Sequence, residues 1–467
     1  MATVQNNKLI KGLLLLSILG LGLFLRIYKL DELMPFLGDQ GWFYISARDM
    51  IIGHTIPLVG IASSHPWLHQ GALWTYILAL LFWLFNFNPI IPAYFTATVD
   101  VLTIIIVYKV ASNMFSVREG LIASFLYATS PLIIMQSRLA YHTSFIPLFT
   151  TLFIYTLYRW INGSIAFFPV IFFLLGVLYN LEIATAVLWF IFFPIFVYGF
   201  WKRKKWATKI LNYRTILYSA VAWIMPMIPM LIYDTQHGYP QTIKFITWIG
   251  YKILKLFGYP SINLQITEES YISIFIFMSN KIQQIIFSPN MIISISLFIL
   301  SLILIAFFFV KALRKNTINS FAILFLSVTV SVIGLILAKT ASDAYLPMLF
   351  PCIIIMLSVF FGMIMVNKRL TIIVILIIVS MGLINSFYLI KDNYASQKFT
   401  QKLDAAKKII SQANGEPYNI VGNGNLSASL GYLTWWLGEG QSEKQEKLQF
   451  IIKEDNFKIE VIKKIKI

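Results

Sequence analysis

Charged residues are scarce in this chain of 467 residues, since they make up 12% of it against 58% hydrophobic residues. A soluble domain usually carries about 25% charged residues, so the composition excludes a protein whose surface mainly faces water. Apolar runs of roughly 20 residues recur along the whole chain, and each could cross a hydrocarbon core. In lipid such runs must be helices, because a helix satisfies its own backbone hydrogen bonds. The sequence therefore predicts an all-α protein that crosses the membrane many times.

Cysteine is nearly absent. The one cysteine, Cys352, lies inside an apolar run. This excludes an intrachain disulfide and a metal site built from cysteines. Much of the net charge of +17 comes from short basic loops such as 202–205. Positive charge in such loops sets the orientation of membrane spans. We therefore expect membrane lipids, and not nucleic acid, around this protein.

The basic loops predict the topology, because loops rich in lysine and arginine stay in the cytoplasm. The result is a protein of the cell membrane with a cytoplasmic N-terminus and an extracytoplasmic C-terminus. The run from Gly71 to Phe85 is shorter than the roughly 20 residues of a span, and we interpret it as a re-entrant or interfacial helix. A twelve-span alternative makes this run a span and places Lys109 and Arg118 outside. The eleven spans are predicted near 9–30, 92–112, 118–136, 144–161, 164–181, 182–200, 215–233, 290–310, 319–338, 346–366 and 371–391.

Two units follow from this topology. Residues 1–391 form a membrane module whose large outer loops are 30–91 and 234–288, and residues 392–467 form a tail of different composition. We expect the tail to be a small extracytoplasmic α/β domain, marginally stable alone and supported by the membrane module. Its pattern predicts a helix near 398–413, a strand near 417–422, a helix near 427–437 and one or two strands near 447–465.

Acidic residues number only 20, so candidate bases can be considered singly. Asp39 lies in the first outer loop, directly before an aromatic stretch that begins at Trp42. A carboxylate held there is suited to general-base catalysis, although an arbitrary loop aspartate is most often only solvated. Residues 40–53 favour the catalytic interpretation, because they predict an amphipathic helix along the interface, with Trp42 on its apolar side and Gln40 and Arg48 on its polar side.

The outer loops also carry three of the five histidines near one another in sequence. His65 and His69 are four residues apart, which suggests a zinc site, but Pro66 lies between them and no cysteine or HExxH pattern is near. Polar contacts within the loop are the better interpretation. Farther along, His142 could pair with Asp39 or contact a ligand.

Other polar residues lie at the predicted outer ends of spans. Arg138 could bind a phosphate through two hydrogen bonds or simply snorkel to the interface. Glu182 belongs to the site or caps a helix. Asp100 lies inside a span, where an acid is either functional or paired with a neighbouring helix. Lys339 and Tyr345 enter a span from outside and place a cation and a phenol at headgroup depth.

Taken together, these features resemble the polytopic membrane glycosyltransferases of the GT-C fold, in particular the group of protein O-mannosyltransferases and aminoarabinose transferases. The resemblance covers roughly residues 10–390, and the order of its short motifs carries more weight than any one motif. These motifs are Leu23 to Arg26, Gly38-Asp39-Gln40, Ala47-Arg48, Gly53 to Pro57, His65 to Leu68, Ser130-Pro131, Ser137-Arg138 and Tyr345 to Pro351.

The resemblance implies transfer of a sugar from a polyprenyl-phosphate donor to an acceptor on the outer face. Asp39 would be the general base of an inverting reaction, and Arg138 and Tyr345 would lie near the donor phosphate. The substrate contacts that we expect are Arg48, His65, Arg138, His142, Glu182, Lys339 and Tyr345.

Three departures from the family pattern bear on this assignment. The usual Asp-Glu pair is Asp39-Gln40 here, and the acid common in the second outer loop is replaced by Tyr141-His142. We therefore expect catalysis without a carboxylate-bound divalent metal and predict no cofactor. Ala344 stands where the family has Arg or His before its Tyr, which leaves phosphate contact to Lys339.

Two alternatives remain open at this point. A lipid or polysaccharide transporter would bind its substrate near the midplane with several buried charges, whereas here Asp100 alone lies deep. A ligase of the same fold would transfer a whole oligosaccharide. The sugar and the acceptor, which could be a protein, lipid or glycan hydroxyl, are not identified by the sequence.

Overall fold

The computed structural model describes residues 2–63, 67–256, 270–339, 341–391, 398–422, 424–442, 444–455 and 458–465. The helices of the membrane module are α1 (Ala2–Ile27), α2 (Leu30–Leu33), α3 (Gly38–Ile52), α4 (Leu73–Leu84), α5 (Ile91–Met114), α6 (Val117–Thr129), α7 (Pro131–Ser137), α8 (Ile146–Ile161), α9 (Phe167–Leu181), α10 (Trp189–Trp201), α11 (Lys205–Thr208), α12 (Tyr213–Gln236), α13 (Phe245–Leu256), α14 (Tyr271–Ile286), α15 (Met291–Arg314), α16 (Ser320–Ala338), α17 (Phe350–Ile364) and α18 (Lys368–Lys391). The tail contains α19 (Phe399–Ala413), β1 (Tyr418–Val421), α20 (Gly424–Trp436), β2 (Leu448–Asp455) and β3 (Lys458–Ile465).

Within the described residues, eight helical stretches are long and apolar enough to cross a membrane, and the predicted multi-pass helical fold is confirmed. Two of them reach this length only together with the 3-10 turns before α10 and α17, as Ile183–Trp201 and Asp343–Ile364. The bent pair α6 and α7 gives a ninth candidate, with a 65° bend. The two remaining predicted spans coincide with α8 and α9, which have 16 and 15 residues. These helices are shorter than the roughly 20 residues of a span, so the count of eleven stays a prediction.

The short apolar run of the first outer loop forms α4, which has 12 residues. A helix of this length rises about 18 Å, whereas the hydrocarbon core is about 30 Å thick. Trp74, Leu78 and Phe82 of α4 are buried in the protein core, where the helix packs against α3. This length agrees with the interpretation of the run as a helix that does not cross.

The predicted amphipathic pattern of α3 is wrong, although the helix itself is present. Gln40, which was expected on the polar side, is fully buried. The reason is tertiary packing, because α3 lies between α4 and α20 of the tail and is covered on both sides. A Cβ atom added at Gly41 would overlap the backbone of Ser429, so only glycine permits this close approach.

The tail has the helix and strand order that its pattern predicts, and it forms one small sheet. Strand β1 runs parallel to β2, with Tyr418 opposite Leu448, and β2 runs antiparallel to β3. The tail contacts the first outer loop at several points. The Lys402 ammonium donates to the carbonyl of Phe36, and the Tyr432 hydroxyl donates to the carbonyl of Phe87 at 2.7 Å.

A buried ion pair joins α1 to α5 inside the membrane module. The Arg26 Nε donates to Asp100 Oδ2 at 2.7 Å, and the Tyr127 hydroxyl of α6 donates to Asp100 Oδ1 at 2.7 Å. The remaining guanidinium nitrogens of Arg26 donate to the carbonyls of Gly22, Ala128 and Tyr127. Asp100 is therefore paired with a neighbouring helix, which is the structural alternative that the sequence left open.

Candidate active site

A group of polar side chains meets where α3 begins and where the loops after α7 and α9 turn back. We define the outer cluster as Asp39, Gln70, Tyr141, His142 and Glu182. Three of these five residues belong to the predicted site, and they come from parts of the chain that are far apart in sequence.

Asp39 lies in the first turn of α3, where the N-terminal end of a helix favours a negative charge. Its carboxylate is half-buried, and its Oδ2 accepts a hydrogen bond from the Tyr141 hydroxyl at 3.0 Å. Burial raises the pKa of Tyr141 well above its usual value, and nearby Asp39, Glu182 and Tyr345 raise it further. The hydroxyl therefore keeps its proton at neutral pH and orients Asp39 as a donor.

His142 and Glu182 form the buried part of the outer cluster, with 3% and 4% of their surfaces exposed. The distance from His142 Nε2 to Glu182 Oε2 is 3.4 Å. Glu182 Oε1 accepts hydrogen bonds from Gln70 Nε2 at 3.0 Å and from the backbone N–H of Ala184 at 3.3 Å. Glu182 is thus both a helix cap and a member of the cluster, so both sequence interpretations apply to it.

The other ring nitrogen of His142, Nδ1, is buried and has no hydrogen-bond partner within the described part of the chain. Buried polar atoms are nearly always hydrogen-bonded, so an unbonded one at a cluster of this kind is a candidate contact for a ligand. The Phe43 ring packs against the rings of Tyr141 and His142, with centroids 5.8 and 5.3 Å away. The same helix therefore supplies Asp39 and the apolar wall beside it.

Arg138 is buried and bonded to the end of α1, with its guanidinium donating to the carbonyls of Leu25 and Tyr28. Burial, and to a smaller extent the charge of Arg26, lowers its pKa to about 10. Its Nε has no hydrogen-bond partner among the described residues. Arg138 therefore neither snorkels nor reaches Asp39 in this structure, and it holds α1 against the end of α7.

Tyr345 and Lys339 flank the entry to α17 and lie in different surroundings. Tyr345 is half-buried and near enough to Tyr141 to influence its pKa. Lys339 ends α16 with a left-handed backbone, and its ammonium lies 4.4 Å from the centre of the Tyr271 ring of α14. The structure thus places Tyr345 beside the outer cluster and directs Lys339 toward α14.

The remaining predicted contacts lie elsewhere or outside the described residues. Arg48 is nine residues along α3 from Asp39, about 14 Å away along the helix axis. It pairs with Asp49 at 2.6 Å and stacks on the Trp435 ring of the tail at 5.1 Å. His65 lies outside the described residues.

A second polar group, which the sequence did not single out, supports the loop that carries Gln70. Asp234, buried at the end of α12, accepts hydrogen bonds from the backbone N–H of Gln241 at 2.7 Å and from Thr242. The Gln241 side chain accepts from the backbone N–H of His69 and donates to the carbonyl of Trp67, each at 3.0 Å. His69 therefore makes the polar loop contacts that the sequence favoured over zinc.

Within the described ranges, no group of three or more His, Cys, Asp or Glu side chains is placed to hold a metal ion. In the outer cluster, Glu182 already accepts from Gln70, Ala184 and His142. The arrangement suits hydrogen bonding and proton transfer.

Comparison with known proteins gives similarity at the level of fold. No family model and no curated protein matches this chain. It is similar to ArnT from Cupriavidus metallidurans, solved with bound undecaprenyl phosphate, with a TM-score of 0.60, 10% identity and coverage of 98% of both chains. It is also similar to the oligosaccharyltransferase of Archaeoglobus fulgidus in the apo form, with a TM-score of 0.57, 12% identity and 91% of this chain covered.

This chain spans 64% of the length of the archaeal enzyme, which was also solved with an inhibitory peptide and a dolichol-phosphate (TM-score 0.54, 12% identity, 92% of this chain covered). Both neighbours are membrane glycosyltransferases of the GT-C fold. The chain therefore has the GT-C fold that its sequence resembles, and it is a multi-pass membrane protein.

Proposed function

We propose that this chain transfers a sugar from a polyprenyl-phosphate donor to an acceptor hydroxyl on the extracytoplasmic face, with inversion and with Asp39 as the general base. The observation that carries the proposal is the half-buried Asp39 carboxylate, which Tyr141 holds beside a buried histidine–glutamate pair. The GT-C fold supports it, since one solved neighbour binds undecaprenyl phosphate and another binds dolichol-phosphate.

The chemistry follows from the position of the base. Tyr141 engages only Oδ2 of Asp39 among the described contacts, which leaves Oδ1 for the acceptor hydroxyl. As the acceptor oxygen forms its bond to the anomeric carbon, Asp39 takes the proton, and the bond from that carbon to the phosphate oxygen breaks. A single displacement inverts the anomeric centre, and the lipid phosphate leaves with the bonding electron pair.

The other side chains act in this scheme by binding and orientation. His142, with its unbonded Nδ1, and Glu182 are proposed to contact the sugar, and Tyr345 is proposed to contact the phosphate. Arg138 and Lys339 are the cations that we propose for the leaving phosphate, because fixed positive charge stabilises the charge that develops there. To reach it, Arg138 exchanges its carbonyl partners for the phosphate, and Lys339 leaves the Tyr271 ring.

The decisive experiment incubates purified protein with a panel of undecaprenyl-phosphate sugars and a membrane extract as the acceptor source. Release of undecaprenyl phosphate, measured by mass spectrometry, reports transfer. We expect release with one class of donor, loss of release in Asp39→Asn, and unchanged release in Asp31→Asn, which removes an exposed carboxylate from the same outer loop. Equal transfer by Asp39→Asn and the wild type would eliminate Asp39 as the base.

One observation favours an enzyme over a transporter. The deep Arg26–Asp100 pair is closed off by hydrogen bonds, whereas a transporter site is expected near the midplane. A ligase of the same fold is tested in the donor panel by including a lipid-linked oligosaccharide. Transfer of the oligosaccharide, with no transfer from monosaccharide donors, identifies the ligase.

A further inference from the structure

The loop between α10 and α12 concentrates positive charge. Residues 202–214, which we define as the basic loop, contain six cations and no acid. No salt bridge joins any of the six to an acid within the part of the chain that the structure describes. The six are Lys202, Arg203, Lys204, Lys205, Lys209 and Arg214.

An apolar groove opens directly beside the basic loop, between α9, α10 and α12. Its volume is about 420 Å³, within the range of small-molecule sites. Aromatic side chains form most of its wall, including Phe172, Phe196 and Trp223, and Ile210 of the basic loop closes one end. Ser219 is the one lining residue with a side-chain hydroxyl, and that hydroxyl donates to the carbonyl of Thr215.

The groove has the depth of one leaflet. Its lining on α12 extends to Trp223, ten residues from the start of the helix at Tyr213. Ten residues of α-helix rise about 15 Å, and half of a hydrocarbon core of about 30 Å is also about 15 Å. A chain of methylene groups that enters at the basic loop therefore runs along the groove to about the middle of the bilayer.

The basic loop is held in a fixed position relative to the groove. The Trp160 indole N–H donates to the carbonyl of Trp206 at 3.1 Å, which ties the loop to α8. The Trp206 ring packs so closely on Gly199 that a Cβ atom there would overlap it. Ala207 and Ile210 are buried, so the lysines between and beside them are presented on an ordered turn.

We infer that the basic loop and the groove together bind one anionic phospholipid from the adjoining leaflet. The phosphate lies among the cations of the basic loop, and one acyl chain fills the groove. Basic pockets between membrane helices bind anionic headgroups, and here the charge of the basic loop complements such a headgroup at the mouth of an apolar groove. The rule that basic loops orient the membrane spans explains the cations of the basic loop, but it does not explain the apolar groove beside them. The site is independent of the proposed glycosyl transfer.

The test measures lipid binding by native mass spectrometry on delipidated protein in neutral detergent. The probes are dioleoylphosphatidylglycerol and dioleoylphosphatidylcholine, which share their acyl chains and differ in charge. We expect the first anionic lipid to bind about tenfold more tightly than the neutral one. The triple substitution of Lys204, Lys205 and Lys209 by Gln removes this preference, and Ala220→Trp, which fills the groove, lowers binding of both lipids.

Two controls match these variants. The substitution of Lys311, Arg314 and Lys315 by Gln removes three cations from the C-terminal end of α15, and Val221→Trp adds the same ring to an exposed position on α12 that does not line the groove. Both are expected to bind as the wild type does. The inference is overturned if the control loop variant loses as much anionic lipid as the basic-loop variant, or if the two lipids bind equally to the wild type. Unchanged melting temperatures show that each variant is folded.

Discussion

Two buried polar networks of this protein differ in how completely their hydrogen bonds are made. In the deep network, the Arg26 guanidinium and both oxygens of Asp100 all have partners. In the outer cluster, His142 Nδ1 is left without a hydrogen-bond partner among the described residues. A closed network holds helices together and has no capacity for a ligand, whereas a network with an unbonded atom can still form one more hydrogen bond. The comparison separates a structural role for Asp100 from the catalytic role that we propose for Asp39, although both are partly or fully buried acids.

The largest effect expected is on the outer cluster. Asp39→Asn removes the proposed base while keeping the shape of the side chain, and we expect the transfer rate to fall about 10³-fold. Turnover of the donor identified in the panel measures this fall. Thermal unfolding in detergent is the control, and its midpoint should change little, because Asp39 makes one described side-chain hydrogen bond. A large drop in the midpoint would instead make Asp39 a structural residue.

The opposite pattern is expected in the deep network. Asp100→Asn leaves the Arg26 charge buried without its counter-charge, which should destabilise the fold by about 3–5 kcal/mol. The free energy of unfolding in detergent measures this change. The double variant Arg26→Met with Asp100→Leu removes both charges and should recover most of the loss. If the double variant were as unstable as Asp100→Asn, the ion pair would stabilise the fold by more than the mutual neutralisation of its two charges.

An intermediate effect is expected where the tail contacts α3. Gly41→Ala adds a Cβ atom that overlaps Ser429, and we expect a loss of about 1–3 kcal/mol as α20 is pushed from α3. Gly20→Ala is the matched control, because a Cβ atom there meets no other atom within 4 Å. Differential unfolding and proteolysis of the tail measure the two variants. Equal behaviour of the two would show that the contact between α3 and α20 is dispensable.

A smaller effect on the transfer rate than that of Asp39→Asn is expected from Tyr141→Phe. This change removes the hydrogen bond to Asp39 and keeps the ring that packs on Phe43. One hydrogen bond to a charged group contributes about 1.5–3 kcal/mol, so we expect transfer to slow by about 10- to 100-fold. The steady-state rate at saturating donor reports the change, and an unchanged rate would remove Tyr141 from the orientation of Asp39.

The sequence predicted the features that depend on local pattern. Apolar length located the helices of the membrane module, and the residue pattern of the tail located its helices and strands. The motif order predicts the GT-C fold, and the sequence alone makes Asp39, His142 and Glu182 candidate site residues.

Partner choice could not be predicted, because it depends on packing between distant segments. The sequence offered His142 either as a partner of Asp39 or as a ligand contact, but Tyr141 bonds Asp39 and His142 faces Glu182. Gln40 was expected on the polar side of α3, but it is buried, and α20 packs on α3 from almost 400 residues away in the sequence. Periodicity within a helix reports its own faces and contains no information about a segment that packs on it later.

The contact between α3 and α20 also sets an order in time. During synthesis, α3 is made long before α20, and until the tail arrives Gly41 and Tyr44 lack the surface that covers them. The helix that carries Asp39 therefore acquires its final surroundings after the membrane helices have been made. A nascent chain should therefore hold α3 without this cover until the tail has folded.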